Sequence, residues 1–235
     1  MSLPRPAGGY LKVAHRGASA LAPENSLAAL EAALAAEVDI VELDIVEAEG
    51  RLRLAHSAAQ LRRDSPALEE ALELFAETAR PTVWLDLDVK TPGQEQAIAQ
   101  AVRAHGLLGR TLVTSFQAKV LRTMKDLEPR LATGLAYPND SYRLSERRAL
   151  ESFVGPGLRV LGAALPWRIG RMLASARAEA AMLHYALVTP RVVARCRDVG
   201  VAVFAWTVET KDDLRRVVAA GADGVIANDP SLFDQ

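Results

Sequence analysis

One cysteine, Cys196, stands among 235 residues, which excludes an intramolecular disulfide and any metal site built from thiolates. It sits in the helical-looking run Val192-Val193-Ala194-Arg195-Cys196, where a buried thiol is expected to act as a small apolar residue. Aromatic residues are scarce, 5% against 50% hydrophobic, so a core must be filled mainly by Ala, Leu and Val. Helices packed closely on parallel strands allow that. Neither sign of charge dominates: 28 Lys and Arg face 29 Asp and Glu, and the pI is near 6.4. With no basic stripe and no acidic tail, a nucleic-acid partner is not expected. No apolar run is long enough for a membrane span or the core of a signal peptide. The chain passes from a Pro/Gly leader over residues 1–9, expected to be in part a cloning scar, into Tyr10-Leu11-Lys12-Val13-Ala14. A cytoplasmic protein without a transmembrane segment follows by default.

What is present is an alternation of short β-rich apolar runs with Ala/Leu/Glu/Arg helical stretches, the pattern of βα units and a parallel sheet. The strand candidates are Tyr10–Ala14, Ile40–Val46, Thr82–Val89, Thr111–Phe116, Leu131–Tyr137, Ala181–Tyr185, Val201–Val208 and Gly224–Ala227. Eight strands can close a (β/α)8 barrel, and such barrels run to about 250 residues. Helices are expected over Leu27–Ala36, Ala67–Ala79, Glu95–His105 and Asp212–Ala220, and a short extra strand over Leu52–Ala55 turns back across Glu49-Gly50. Asp140 to Glu179 reads mostly helical, with a strand over Arg159–Leu165 as the alternative. Without a linker or repeat, residues 1–235 are expected to form one domain.

Two strand candidates break the apolar rule. Glu42 and Asp44 lie two apart in Val41-Glu42-Leu43-Asp44-Ile45, so they point to one side. Asp86, Asp88 and Lys90 do the same in Leu85-Asp86-Leu87-Asp88-Val89-Lys90. An unpaired buried carboxylate costs several kcal/mol. Internal salt bridges to Lys90 or Arg16 are one answer, but the acids outnumber the bases. A hard divalent cation, Mg2+ or Ca2+, resolves the surplus with oxygen ligands. Strand C-termini are also where barrel enzymes carry their sites.

The first strand ends in Ala14-His15-Arg16-Gly17 and is followed by Pro23-Glu24-Asn25-Ser26, where Asn25 or Ser26 can cap a helix. His15 offers proton transfer beside a guanidinium suited to phosphate, and His56 follows the short extra strand. His105, before Gly106 at a helix end, reads as structural, and His184 is expected to stay out of the pocket.

In order and spacing, His15-Arg16-Gly17, Pro23-Glu24-Asn25-Ser26, Asp39-Ile40-Val41-Glu42-Leu43-Asp44, His56 and Leu87-Asp88-Val89-Lys90 resemble the glycerophosphodiester phosphodiesterase family. Thr114-Ser115-Phe116, Val203-Phe204-Ala205-Trp206-Thr207-Val208 and Gly221 to Pro230 are similar to its later strands, while Ala118 to Ala180 has no such motif. The resemblance implies a TIM-type barrel like that of the phosphatidylinositol phospholipases C. It implies hydrolysis of a small-molecule phosphodiester to an alcohol and glycerol 3-phosphate. Glu42, Asp44 and Asp88 would be the metal ligands for Mg2+ or Ca2+, and His15 and His56 the general acid/base pair. Arg16 and Lys90 would hold the phosphate, and Trp206 would wall the pocket. The chain departs from the family pattern at Ser57, usually Asp; at Asp88, typically Glu; and at Glu209, usually Asn. The insertion usual after the second histidine is largely absent, since only Ser57–Ser65 precedes Pro66. A head-group lyase leaving a cyclic phosphate, or a non-catalytic phosphodiester-binding barrel, are the alternatives.

Overall fold

Because side chains alternate along a strand, each strand of a closed barrel turns one set inward and the next toward the surrounding helices. The computed structural model describes residues 3–4, 9–139 and 151–234. It contains β1 (Leu11–Ala14), α1 (Leu27–Ala35), β2 (Ile40–Ala48), β3 (Arg51–Leu54), α2 (Leu68–Thr78), β4 (Trp84–Val89), α3 (Glu95–Ala104) and β5 (Thr111–Ser115). Then follow α4 (Ala118–Leu127), β6 (Ala132–Tyr137), α5 (Glu151–Ala176), β7 (Ala180–His184), α6 (Pro190–Asp198), β8 (Ala202–Trp206), α7 (Lys211–Ala219) and β9 (Gly224–Ala227).

All strands except β3 are parallel, and β1 pairs with both β2 and β9, which closes an eight-stranded barrel. The expected strands and helices are therefore present, with ends shifted by a few residues. β3 is the expected extra strand, antiparallel to β2 with Glu47 opposite Leu52. The turn between them holds Glu49 and Gly50 at φ 54° and 74°, as a two-residue hairpin needs. The alternative strand over Arg159–Leu165 is corrected: those residues lie within α5. An Ala- and Leu-bearing run that must cross the outside of a barrel saves its backbone hydrogen bonds locally as helix. The part of that region over 140–150 lies outside the described residues.

The outward strand residues pack on the helices in two large clusters, one around Leu43, Leu72 and Phe75, the other around Leu173, Val203 and Val217. The inward cluster is smaller and sits low in the barrel: Val13, Ile40, Trp84, Leu112, Met182, Phe204 and Ile226. Each fully buried large apolar side chain contributes roughly 1.5–3 kcal/mol. Gly224 makes room for the Phe204 ring, since a Cβ there would lie 2.3 Å from the ring Cδ1. At the other end of the barrel, Gly17 turns the chain off β1 at φ 76°, and a Cβ there would meet Ala29 at 2.6 Å. Ser26 caps α1, its Oγ accepting from Ala29 N at 3.1 Å.

Candidate active site

Following the inward positions upward, apolar side chains give way to polar ones. On β2 the sequence runs Ile40, Glu42, Asp44; on β4 it runs Trp84, Asp86, Asp88, with Lys90 next. Parallel pairing sets Glu42 beside Asp86 and Asp44 beside Asp88. His15, Arg16, Glu42, His56, Asp88, Lys90 and Trp206 all line one cavity at this end. Asp44, fully enclosed beneath it, is tied to three of them by ion pairs.

Asp44 organises the cluster. Its Oδ2 accepts from Asn25 Nδ2 at 2.9 Å and lies 3.1 Å from both Arg16 Nε and His56 Nδ1. Its Oδ1 sits 2.7 Å from Lys90 Nζ, an ion pair rather than a well-directed hydrogen bond. Asn25 completes the clamp by accepting from Asp44 N at 2.9 Å, from a backbone at φ 55° that Asn tolerates. Burial alone would raise the Asp44 carboxyl, but Lys90, His56 and Arg16 together hold it well below the usual range. Lys90 also bonds Asp88, and Asp44, Asp88 and Glu42 keep its ammonium charged against the cost of burial. The internal salt bridges foreseen from sequence are thus present.

They do not balance the site. Four buried or nearly buried carboxylates, of Glu42, Asp44, Asp86 and Asp88, face two permanent cations, Arg16 and Lys90. Burial, then the neighbouring Asp44, pushes Glu42 well above the ordinary carboxylate range; burial, then Asp88, does the same to Asp86. Glu42, Asp44 and Asp88 each bring a carboxylate oxygen to within 4.8 Å of the others. Asp88 Oδ1 is buried with no hydrogen-bond partner. An all-oxygen donor set with surplus negative charge and an orphaned buried oxygen fits a hard divalent cation. Asp86 is not in that set: its Oδ1 accepts from Thr114 Oγ1 at 2.8 Å.

The two histidines are held differently. His15 Nδ1 lies 2.7 Å from Asn228 Oδ1, and its Nε2 lies 3.9 Å from Glu42 Oε2. Burial, helped by the Arg16 charge, pushes its pKa down to about 4, so the ring is neutral near pH 7. His56 Nδ1 is 3.1 Å from Asp44 Oδ2 and 3.0 Å from Arg16 Nη2. Asp44 therefore orients His56, the service that Ser57 does not supply; Ser57 Oγ instead reaches Gln60 Oε1 at 3.1 Å. Arg16, at φ 53°, donates its own N–H to Glu42 Oε2 at 2.7 Å and Nη1 to Glu24 Oε2 at 2.6 Å.

On the far wall Trp206 packs edge-on against Phe116 and His184, ring centroids 6.1 and 5.3 Å apart, and donates Nε1–H to Met182 O at 2.9 Å. The expectation that His184 stays out of the pocket is corrected: it ends β7 on the inward phase of Ala180 and Met182 and lines the cavity. His105 behaves as foreseen, its Nδ1 2.8 Å from Ala101 O at the end of α3. Cys196 is buried in α6, its thiol pushed up to about 12 by burial. Sequence reasoning gave no role to Asn25 beyond capping, nor to Glu24, Thr114 and Asn228. All four stood inside quoted motifs, and Thr114 and Asn228 also lie at or just beyond the C-terminal ends of β5 and β9.

A profile of the glycerophosphoryl diester phosphodiesterase family matches residues 15–48 and 66–232. The match runs through the middle of the chain, where the motifs give no resemblance, and breaks over the stretch that holds β3 and His56. A glycerophosphodiester phosphodiesterase of Caldanaerobacter subterraneus subsp. tengcongensis is 28% identical over 95% of this chain and 96% of its own. Among solved structures, glycerophosphodiester phosphodiesterase from Agrobacterium tumefaciens gives a TM-score of 0.70 at 19% identity, over 95% of this chain and 98% of that one. A phosphodiesterase of Oleispira antarctica, in complex with the product sn-glycerol-3-phosphate, gives 0.71 at 20% identity, over 97% and 98%. At those identities the structural likeness speaks for the barrel.

Proposed function

Because the chain belongs to the glycerophosphoryl diester phosphodiesterase family, and is by that membership a phosphodiesterase, we propose that it hydrolyses glycerophosphodiesters to an alcohol and glycerol 3-phosphate by metal-dependent two-histidine catalysis. The observation that carries this reading is the convergence of His15, His56 and the Glu42–Asp44–Asp88 oxygens on one cavity. One barrel spanning the chain, acting in the cytoplasm on a small molecule rather than a nucleic acid, is part of the same proposal. No helix among the described residues is long and apolar enough to cross a membrane.

A Mg2+ or Ca2+ ion held by Glu42, Asp44 and Asp88 would supply a Lewis acid for a non-bridging phosphate oxygen. Arg16 and Lys90 bind the remaining phosphate charge from the same side of the cavity. His15, neutral because it is buried, is suited to take a proton from the attacking hydroxyl or water. His56, oriented by Asp44 and Arg16 at its Nδ1, is placed to deliver a proton to the departing alkoxide. Trp206, with Phe116 and His184, walls the side away from the carboxylates and receives the glycerol or head group.

The test is hydrolysis of glycerophosphocholine and glycerophosphoethanolamine by metal-stripped protein, with Mg2+ or Ca2+ restored. Metal-dependent release of glycerol 3-phosphate is expected. Equal turnover without metal would overturn the carboxylate assignment, and a persistent cyclic ester in phosphorus NMR would make the enzyme a lyase.

A further inference from the structure

Asn228, just beyond β9, touches two groups that the reading above leaves unconnected. Its Nδ2 lies 3.2 Å from Glu209 Oε1, and its Oδ1 lies 2.7 Å from His15 Nδ1 and 3.0 Å from Ser19 Oγ. A carboxylate can only accept hydrogen bonds, so Glu209 can be satisfied only by the amide's NH2 end. That fixes which way the amide faces. The oxygen is left toward the imidazole, and an amide oxygen can only accept. The hydrogen between them therefore belongs to His15 Nδ1. In a neutral imidazole the other nitrogen then carries the lone pair. The Ser19 hydroxyl donates or accepts with equal ease, so it follows the amide and does not decide its direction. Nε2 lies on the carboxylate side of the ring, 3.9 Å from Glu42 Oε2, beyond hydrogen-bond reach, and makes no hydrogen bond to another of the described residues.

We propose that Asn228 and Glu209 are positioning residues that hold His15 as its Nδ1–H tautomer, so that Nε2 is the proton acceptor in phosphodiester cleavage. Glu209 is exposed in the β8–α7 connection, on the wall of the same cavity, and reaches the ring through the Asn228 amide. It acts through the amide alone. The inference rests on the hydrolase reading only for its kinetic arm; the tautomer is a property of the unliganded protein.

The distinctive consequence is that the relay can be reversed. In Glu209→Lys a donor replaces the acceptor, so the amide turns its oxygen to Lys and its NH2 to the ring, and the proton moves to Nε2. Adding Asn228→Asp restores an acceptor to both neighbours and should bring the proton back to Nδ1. The measurement is the 15N spectrum of histidine-labelled full-length protein at pH 8, with the His15 resonances assigned by loss in His15→Asn, alongside Mg2+-supported turnover of glycerophosphoethanolamine. Expected are Nδ1–H in the wild type, Nε2–H in Glu209→Lys with kcat down roughly 10–100-fold at a KM within about twofold, and recovery of both in the double variant. An Nε2–H ring in the wild type overturns the proposal. So does a kcat loss in Glu209→Lys without movement of the proton, or a double variant that stays impaired. Should the wild type hydrolyse no glycerophosphodiester, the hydrolase reading fails and the 15N arm still decides the tautomer.

Discussion

The two rims of the barrel use carboxylates in opposite ways. At the lower rim Asp39, Glu179 and Asp223 each stand one residue before an inward-leading strand and clamp the second residue of a neighbouring one. Asp39 donates its N–H to Lys12 O at 2.9 Å while Oδ2 accepts from Lys12 N at 2.8 Å. Glu179 does the same with Thr133, at 2.8 and 2.9 Å, and Asp223 with Val203, at 2.7 and 2.8 Å. Each acid is half-buried and gives an oxygen to a backbone donor, and Glu179 and Asp223 also pair with Lys125 and Arg197. At the upper rim Glu42, Asp44, Asp86 and Asp88 are stacked abreast, almost without solvent, against two cations. The lower rim is arranged for stability; the upper crowds four acids against two cations and leaves Asp44 Oδ1 and Asp88 Oδ1 without a hydrogen bond. Crowding of the acids, and not their residue type, separates the two rims.

The sharpest break of that contrast is Asp44→Asn. It removes a ligand from the acidic triad and the acceptor that orients His56, and it leaves Lys90 and Arg16 undermatched. Turnover should fall by roughly 10²–10⁴-fold, and calorimetry should record weaker Mg2+ or Ca2+ binding; undiminished turnover would remove Asp44 from the site.

A middle-sized effect is expected from Asp86→Asn in metal-free protein. Asp86 and Glu42 hold their protons more firmly folded than unfolded, above their ordinary values of 3.8 and 4.5. Their contribution is therefore fully present below those values and is lost as pH rises through the raised ones. In chelator, Asp86→Asn should remove the part of the Tm-versus-pH curve that falls as pH rises through the raised carboxyl value, against the opposite slope that His15 and Asp44 contribute; added Mg2+ or Ca2+ should raise Tm by binding the folded state. An unchanged slope in the variant would show the upper rim to be electrostatically relaxed.

The smallest effect belongs to the lower rim. Asp223→Ala removes one clamp on a backbone donor and should cost about 0.5–1.5 kcal/mol by denaturant unfolding, with kcat and KM unchanged. A marked loss of activity would mean that the two rims are coupled.

Much of this contrast was legible from the chain alone. Period-two acids in otherwise apolar runs announced Glu42, Asp44, Asp86 and Asp88, because a strand's alternation fixes which side chains share a face. The histidine motifs and their order gave His15, Arg16 and His56. The lower clamps were not legible: an acid before a strand looks the same in sequence whether it meets a backbone N–H or water. His184 was misjudged for a related reason. Strand alternation gives its phase on β7, but whether that phase faces the cavity depends on where the sheet closes.

Sequence by itself determined the alternation of eight strands with helices and the acid-bearing strands, since these follow from local periodicity; the histidine pair came from the family resemblance and belongs to the proposed mechanism. Only the tertiary structure decided that Asn25 clamps Asp44, that Asp86 turns to Thr114 rather than to the triad, and that Asn228 links Glu209 to His15. Those contacts join residues 19, 28, 213 and 19 positions apart. Hydrogen-bond partners at such separations are chosen by closure of the barrel, which no local pattern encodes.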